Sequence, residues 1–418
     1  MLHRALLAAG TAGALALGAF GPAGAQLPVT KDAPASGCTP LETRAPNGAS
    51  QSQRPAMAGQ TRACGIRAST PYRVTVVARG IAKPWAVEPL PDGNFLVTEK
   101  SGTLRIVMAN GTIGAPIEGV PAVDARGQGG LLDVALGPTF ATDRTIYWSF
   151  SEPRGDGTNA TSVARGRLTS DWRRLEDVRV IFRAMPAYAG DKHFGSRLAF
   201  GPDGMLYVTM GERSDQPMRT LAQRLDNHMG KVLRLTSDGA AAPGNPFASR
   251  AGAMPEIWSY GHRNIQAAAF DPQGRFWEVE HGTRGGDELN LIEAGNNYGW
   301  PEVGYGIEYA GGPLQRGATV TAREGTVQPV YYWDPVIAPS GLQWYTGSLF
   351  PAWNGSVFVG GLVSKRLVRL TVAGNRVTGE EHLLTDRDAR IRDVKQGPDG
   401  ALYVVTDADA GELWRIAP

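Results

Sequence analysis

The sequence is poor in the residues that build most metal and redox centres. Its 418 residues include two cysteines and six histidines, which argues against a zinc site made of these side chains. It also lacks the GxSxG, GxxxxGK[ST], GxGxxG, HExxH and CxxCH motifs. These absences argue against the commonest serine hydrolases, nucleotide-binding enzymes and zinc peptidases, and against a covalently attached c-type haem.

The charge balance and the apolar runs bear on two further classes of protein, those that bind nucleic acids and those that insert into membranes. The net charge is +2 with no basic run, so the clustered cations of a nucleic-acid surface are missing. One long apolar run spans residues 5–20 and is followed by Ala-Gly-Ala before Gln26. This pattern predicts a cleaved signal peptide at 1–25, a periplasmic or secreted protein and no membrane insertion, with an uncleaved anchor as the alternative.

Both cysteines lie in the stretch that follows the predicted cleavage site. Residues 26–71 are rich in Pro, Gly, Ser and Gln, and we expect a flexible leader because so little apolar surface cannot fold alone. In an oxidising compartment Cys38 and Cys64 can form a disulfide, or they can remain free. Such a bridge would stabilise only this local segment and would lie far from any catalytic residues.

From Tyr72 onward the chain repeats an apolar strand, a turn and a second apolar strand. The turns of the six copies, two of them weaker, fall at residues 91–93, 137–138, 201–204, 271–274, 351–355 and 397–400. Repeated hairpins at this spacing predict an all-β fold over residues 72–418, a six-bladed β-propeller of four-stranded antiparallel blades. A pair of β-sandwiches is the alternative.

Polar residues form islands at the edges of these predicted blades. The densest, residues 256–301, has Arg263 and Asn264 at one end of a hairpin and a glycine-rich acidic loop, 282–288, at the other. Carbonyl and carboxylate oxygens in such a loop suit Ca²⁺, which takes about six to eight oxygen ligands. A solvated acidic turn would explain the same residues.

Two further islands contain a possible base and a possible ligand contact. His193 immediately precedes a predicted inner strand, where it can act as a general base or be an ordinary hydrogen-bonded histidine. Gln128 lies among glycines that let a ligand approach the backbone closely. A tight turn between blades is the alternative for that stretch.

The last islands concentrate positive charge. Arg390 and Arg392 share one face of a predicted strand, and Lys365 is expected nearby. Three cations in one place favour a ligand with several acidic groups. Salt bridges to Asp388 and Asp393 are the alternative.

Together the islands resemble the glucose/sorbosone dehydrogenase family of soluble pyrroloquinoline-quinone (PQQ) enzymes. The matching motifs occur in the family's order from about Val74 to the C-terminus. They are GQGGLLD (127–133), HFGSRLAFGPDG (193–204), SYGHRNIQ (259–266), EHGTRGGDELNLI (280–292), NNYGWP (296–301), YGIEYAGG (305–312), SKR (364–366) and RIRDV (390–394).

The resemblance implies a six-bladed propeller that binds PQQ and Ca²⁺ and oxidises the C1 hydroxyl of aldose sugars to lactones. It implies hydride transfer to PQQ, His193 as general base, and Arg263 stabilising charge on the quinone oxygen, with Asn264 beside it. It further implies a separate external electron acceptor and a monomer or homodimer. The residues resembling those that hold PQQ are Gln128, Tyr309, Lys365, Arg390 and Arg392.

The resemblance also implies two calcium sites. The carbonyls of Gly282 and Thr283 correspond to ligands of a catalytic Ca²⁺, and Glu288 with the Tyr298 carbonyl to ligands of a structural one. The chain departs from the family at Thr283, often a proline, and at Ser196, usually a glycine. The preferred sugar stays open, and two alternatives remain: a calcium-dependent lactonase on another six-bladed propeller, and a non-catalytic propeller that binds a partner.

Overall fold

The computed structural model describes residues 38–51, 53–66 and 70–418. The predicted signal peptide, residues 1–25, lies outside this part of the chain. Within the described ranges, no helix combines the length and the apolar composition that crossing a membrane requires.

Within the described residues, twenty-four strands form six four-stranded antiparallel sheets, the blades. The chain enters through β1 (Arg73–Ile81), which belongs to the last blade. Blade 1 contains β2 (Pro84–Pro89), β3 (Phe95–Glu99), β4 (Thr103–Val107) and β5 (Ile113–Pro116). Blade 2 contains β6 (Leu131–Leu136), β7 (Thr145–Gly155), β8 (Thr158–Leu168) and β9 (Leu175–Arg183). Blade 3 contains β10 (Gly195–Phe200), β11 (Leu206–Met210), β12 (Lys231–Leu235) and β13 (Ile257–Tyr260).

The second half of the ring repeats this order. Blade 4 contains β14 (Ile265–Phe270), β15 (Phe276–Glu280), β16 (Asp287–Ile292) and β17 (Tyr331–Trp333). Blade 5 contains β18 (Pro339–Trp344), β19 (Val357–Gly361), β20 (Arg366–Ala373) and β21 (Arg376–Leu383). Blade 6 contains β22 (Ile391–Gln396), β23 (Leu402–Thr406), β24 (Gly411–Ala417) and, at its outer edge, β1.

Blade 6 closes the ring by joining the two ends of the propeller. Strand β1 pairs antiparallel with β24, with Val74 opposite Ile416. The innermost strands β2, β6, β10, β14, β18 and β22 each contact the next around the ring, and β22 contacts β2. The predicted six-bladed propeller is therefore confirmed, and the β-sandwich alternative is wrong.

The six predicted hairpins are the two inner strands of each blade. Residues 271–274, for example, connect β14 to β15. Every residue of β15 and of β11 is buried, because neighbouring blades cover both faces of the inner strands. Such strands appear in the sequence as short continuous apolar runs. Between blades 4 and 5, Trp277 and Trp344 pack with their ring centroids 5.4 Å apart.

Few helices interrupt the strands in the described chain. The α-helices are α1 (Phe140–Asp143) and α2 (Gln216–Arg219), and the 3₁₀ helices are Asn47–Gln51, Thr220–Gln223 and Pro351–Trp353. Two long connections, residues 211–230 in blade 3 and 293–330 in blade 4, lie in the middle blades, where the spacing of the hairpins predicts them. Long connections of this kind often carry binding residues.

The cysteine-containing segment packs on the outside of the propeller. Cys38 and Cys64 form a disulfide, which is one of the two possibilities that the sequence leaves open. The amide of Ile66 donates to the Glu380 carbonyl (2.8 Å) and the amide of Glu380 donates to the Cys64 carbonyl (2.8 Å), so the segment pairs with β21. This part of the leader therefore has fixed backbone partners in blade 5.

Candidate active site

A cavity of about 340 Å³ lies at the end of the propeller where the six innermost strands begin. Each of these strands contributes a lining residue at its start or just before it. These residues are Pro84, Trp85, Leu132, Phe194, Gly195, Gln266, Ala338, Arg390 and Arg392. The other lining residues are Lys83, Lys100, Gly127, Gln128, His281, Leu362, Val363 and Asp407.

Beneath this cavity, charged side chains fill the central channel. Arg197 of β10 lies 2.7 Å from a carboxylate oxygen of Asp133 in β6 and 3.2 Å from one of Asp393 in β22. All three side chains are buried. Because the guanidinium is paired with both carboxylates, this group ties three blades together and closes the channel below the site.

The cavity lining is positively charged. It has four cations (Lys83, Lys100, Arg390 and Arg392) and one carboxylate, Asp407, so its formal charge is +3. Asp407 lies 2.7 Å from Arg390 and 3.8 Å from Arg392. Burial lowers the pKa values of Arg392 and of Lys100. A ligand with more than one acidic group would offset this charge.

His193 directly precedes the lining residue Phe194 and forms a close pair with Glu212. Its Nδ1 atom is 2.5 Å from a Glu212 carboxylate oxygen, and both side chains are buried. Glu212 also accepts hydrogen bonds from the Trp300 indole (3.2 Å) and the Ser214 amide (2.8 Å). With this carboxylate as acceptor, the proton lies on Nδ1 and Nε2 keeps its lone pair. Burial lowers the pKa of His193, which keeps the ring neutral at pH 7.

The other histidine of the cavity is less suited to accept a proton. His281 Nε2 is 2.8 Å from the Pro339 carbonyl, so this nitrogen carries hydrogen and donates it. Burial, together with the charge of Arg263, lowers the pKa of His281 to about 3. Of these two histidines, His193 has the geometry of a general base.

Three predicted residues are held by hydrogen bonds to backbone groups: Gln128 and Asn264 by residues 193 and 195, and Arg263 by residue 281. The Gln128 side chain accepts a hydrogen bond from the His193 amide (2.8 Å). Asn264 Oδ1 accepts one from the Gly195 amide (3.2 Å). The Arg263 guanidinium donates to the His281 carbonyl (3.0 Å) and lies 5.2 Å from the ring centroid of Trp300.

Several buried donors beside the cavity have no acceptor within the described part of the chain. They are Nε of Arg263, Nδ2 of Asn264 and Nε of Arg392. An unpaired buried donor costs about 1–3 kcal/mol. The region is therefore suited to a ligand rich in acceptor oxygens.

Of the predicted PQQ-binding residues, Gln128, Arg390 and Arg392 line the cavity, whereas Arg263, Asn264, Tyr309 and Lys365 do not. Tyr309 is 60% exposed, and its hydroxyl accepts a hydrogen bond from Arg263 (3.3 Å). Lys365 follows the lining residue Val363 by two positions, but its ammonium group bonds to Asp388 (2.9 Å). The alternative of a Lys365–Asp388 salt bridge is thus correct. For the arginines the acidic partner is Asp407, since Asp393 pairs with Arg197 instead.

A second, smaller cavity of about 20 Å³ brings together three of the predicted metal residues. Gly282, Glu288 and Tyr298 line it with Glu280, while Thr283 follows Gly282 and is buried. About 10–15 Å³ is enough for one water-sized particle. The cavity is therefore of the size for a single ion or water molecule.

Buried carboxylates crowd this small cavity. In the register of β15 and β16, Glu280 lies opposite Glu288 and Glu278 opposite Asn290. Burial and the charge of Glu280 raise the pKa values of Glu278 and Glu288 well above their usual range. Glu278 Oε2 and Asn290 Oδ1 have no donor among the residues described. This oxygen-rich, mutually repelling set fits a hard divalent cation.

Several of these residues were not predicted from the sequence. Glu212, Lys83, Lys100 and Asp407 lie in loops of blades 3, 1 and 6 and belong to no recognisable motif. Glu278 and Glu280 left a detectable signal, because they alternate with apolar residues in the buried strand Phe276–Glu280. A charged face on an otherwise buried strand indicates a polar site or a metal.

Comparisons with known proteins agree with this geometry. A model of the Glucose / Sorbosone dehydrogenase family matches residues 81–415. The aldose sugar dehydrogenase YliI of Escherichia coli is 45% identical over 349 residues, which cover 82% of this chain and 92% of that protein.

Solved structures of sugar dehydrogenases are also similar to this chain. The apo form of the soluble aldose sugar dehydrogenase from Escherichia coli superposes with a TM-score of 0.79 at 44% identity, covering 83% of this chain and 100% of that one. The PQQ-bound aldose sugar dehydrogenase from Streptomyces coelicolor superposes with a TM-score of 0.67 at 32% identity, covering 83% and 98%. The chain belongs to the Glucose / Sorbosone dehydrogenase family, a family of oxidoreductases.

Proposed function

We propose that this protein is a PQQ- and Ca²⁺-dependent dehydrogenase that oxidises the C1 hydroxyl of aldose sugars to lactones. It would act in the periplasm or outside the cell and deliver its electrons to a separate external acceptor. The observation that carries the proposal is the cationic cavity, whose lining residues Gln128 and Phe194 adjoin the His193–Glu212 pair. The PQQ-bound relative supports the choice of cofactor.

The residues around the cavity fit a cofactor with three carboxylates and a quinone. When bound, PQQ supplies the acceptor for the hydride that leaves C1. Arg390, Arg392 and Lys100 provide charge for the carboxylates. Lys365 can join them, because its pair with the exposed Asp388 is worth roughly 0–1 kcal/mol and is readily exchanged.

The remaining cofactor contacts come from uncharged donors and from the rim. The unpaired Asn264 Nδ2 and Arg263 Nε are suited to acceptor oxygens. Gln128 belongs to the lining and fixes the His193 backbone at the same time. Tyr309 covers Arg263 from the solvent side.

The chemistry assigned to the chain is proton transfer and charge stabilisation. His193 takes the proton of the C1 hydroxyl at Nε2. Glu212 fixes the required tautomer at Nδ1 and stabilises the imidazolium that forms. Arg263 adds a fixed positive charge, which stabilises negative charge that develops as the hydride leaves C1. His193 and Arg263 are therefore the proposed catalytic residues.

Two loops provide oxygen ligands for Ca²⁺. The carbonyls of Gly282 and Thr283 are assigned to the catalytic ion. Glu288 and the Tyr298 carbonyl are assigned to a structural ion, and the neighbouring Glu280 adds a carboxylate to that site. The unpaired oxygens of Glu278 and Asn290 support a cation there.

The lactonase alternative fits less well. Such an enzyme needs metal-binding carboxylates deep in the channel. Here the channel carboxylates Asp133 and Asp393 are both paired with Arg197. A cavity with four cations also has no evident use in lactone hydrolysis.

The deciding experiment adds PQQ and Ca²⁺ to the purified apoprotein and measures dye reduction with several aldoses. We expect aldose-dependent reduction that requires both additions, with the lactone as product. Tight PQQ binding without any aldose-dependent reduction would overturn the proposal. Lactone hydrolysis that needs Ca²⁺ but not PQQ would establish the lactonase instead.

A further inference from the structure

The disulfide-closed segment, residues 38–51 and 53–66, is here named the strap. It precedes the family match, which starts at residue 81. Its composition is polar, and hydrogen bonds from Asn47, Gly48, Gln53 and Gln60 join it to the propeller. Several of these bonds end on the loops that border the candidate metal sites.

The first connection runs from Gln53 to the metal loop, residues 282–286. The Gln53 side chain donates to the Gly306 carbonyl (2.6 Å) and accepts from the Gly306 amide (2.9 Å). Gly306 packs against Arg284 and Gly285 so closely that a Cβ atom there would collide with their carbonyl oxygens. Its neighbour Ile307 exchanges two backbone hydrogen bonds with Arg284 (2.9 and 3.0 Å).

The second connection passes through Asp334. Its carboxylate accepts hydrogen bonds from the amides of Asn47 (2.8 Å) and Gly48 (2.7 Å) in the strap. The same side chain packs on Gly285, where an added Cβ would lie 2.6 Å from the Asp334 carboxyl carbon. The strap thus reaches Gly285 by a path that does not involve Gly306.

A third connection anchors the long loop that bears Tyr309. The buried Gln60 accepts a hydrogen bond from the Tyr305 hydroxyl (3.1 Å) and donates to the Pro329 carbonyl (2.9 Å). The carbonyl of Gln60 also accepts from the Tyr332 amide (2.8 Å). One strap residue therefore joins Tyr305, within this loop, to Pro329 at the loop's C-terminal end.

The metal loop needs such external support because three of its five residues are glycine. Glycine loses more conformational freedom on ordering than any other residue. Contacts that order the loop before an ion arrives increase affinity by preorganisation. The disulfide keeps the strap itself compact, since it joins residues 26 positions apart.

We propose that the strap is a positioning element that orders the 282–286 loop and the Tyr309 loop, and that opening the Cys38–Cys64 disulfide weakens metal binding. The identity of the metal as Ca²⁺ rests on the proposed function. The ordering of the loop by the strap does not depend on the proposed function. In an oxidising compartment the bridge would therefore be a condition for full metal affinity.

The test compares the full-length protein with a Cys38→Ser/Cys64→Ser variant and with Gln53→Ala. The matched control is Gln396→Ala. That side chain also accepts hydrogen bonds from loop amides, those of Thr346 (2.8 Å) and Gly347 (3.0 Å), but it lies at the end of β22, away from the cavity. Two quantities are measured: amide hydrogen exchange of Arg284 and Gly286 in metal-free protein, and the dissociation constant of Ca²⁺ by calorimetry.

We expect exchange at Arg284 and Gly286 to be about tenfold faster in both strap variants, and Ca²⁺ binding to be about five- to tenfold weaker, as for the loss of one or two hydrogen bonds. Gln396→Ala should leave both quantities unchanged. Unchanged exchange and affinity in Gln53→Ala would overturn the proposal, even if the cysteine variant does not fold. A wild-type protein that binds no Ca²⁺ but shows the exchange difference would refute the proposed metal while supporting the strap.

Discussion

His193 and Glu212 form a buried pair in which the imidazole Nδ1 lies 2.5 Å from a carboxylate oxygen. The two residues flank the same end of blade 3: His193 precedes the innermost strand, and Glu212 follows the antiparallel second strand. The amide of Glu212 is also bonded to the Arg263 carbonyl (2.9 Å), which links the pair to the other proposed catalytic residue. The loops of two blades thus fix one imidazole.

The first prediction concerns the base itself. His193→Gln keeps a polar side chain but cannot accept a proton at neutral pH. We expect it to bind PQQ and Ca²⁺ normally and to slow reduction of the bound cofactor by about 10²–10⁴-fold. Stopped-flow reduction by an aldose measures this step. A wild-type rate in this variant would remove His193 from the mechanism.

Glu212 should matter through its effect on His193. Glu212→Gln retains the size of the side chain but removes the negative charge that sets the tautomer and stabilises the imidazolium. Loss of such an orienting carboxylate costs up to about 10⁴-fold in rate. We expect slower cofactor reduction with nearly unchanged KM for the sugar. An increase in KM alone would indicate that Glu212 shapes the pocket and does not act through His193.

The pH dependence follows from the direction of the His193 pKa shift. Burial lowers this pKa, so the neutral base should persist below the ordinary histidine value of about 6.5. The rate of cofactor reduction should be flat near neutrality and fall only as the pH drops through the lowered pKa. Because the charge of Glu212 opposes the shift, Glu212→Gln should move the acid limb to still lower pH. A rate of cofactor reduction that already falls above pH 7 in the wild-type protein would contradict the lowered pKa of His193.

Much of the fold could be predicted because the inner hairpins are buried on both faces. Their strands are short and apolar, and their turns contain Gly, Pro and Asp, so each hairpin is visible in a short window of sequence. The residues immediately before these strands, such as His193 and Arg390, could be assigned to a site because every inner strand begins at the same end of the channel.

The features that could not be predicted from the sequence depend on contacts between distant parts of the chain. Lys100 lies after a second strand, and only the assembled ring places it in one cavity lining with Arg390 and Arg392 of blade 6. The strap illustrates the same limit. Gln53 and Gln60 attach the strap to the propeller through side-chain hydrogen bonds to backbone groups. The amino-acid composition of the strap shows only that the segment is polar. Hydrogen bonds of this type have no periodic signal.

Ser196 provides a stability test at the site. Its backbone φ is +100°, a conformation that favours glycine, and its buried hydroxyl has no partner in the described chain. We expect Ser196→Gly to increase the free energy of unfolding by about 1–2 kcal/mol, measured by denaturant titration. The control is Ser170→Gly at an exposed position outside the positive-φ region, which should not stabilise. Equal effects at the two positions would argue against strain at Ser196.

The last prediction ranks the cations that would bind the PQQ carboxylates. Lys100 and Arg392 are partly or fully enclosed in the cavity lining, while Lys365 is 43% exposed at the rim and already paired with Asp388. A charge-assisted hydrogen bond is worth about 1.5–3 kcal/mol. Lys100→Ala and Arg392→Ala should each weaken PQQ binding by about 10–150-fold, as that range implies.

Lys365→Ala should have a smaller effect, because the wild-type lysine must first leave Asp388. Asp388→Ala then serves as the matched control, since it frees Lys365 and should strengthen PQQ binding slightly. Fluorescence titration of PQQ into the four apoproteins, with circular dichroism to check folding, gives the order. If Lys365→Ala weakens binding more than Arg392→Ala does, the carboxylates lie at the rim and the cationic cavity is not where the cofactor binds.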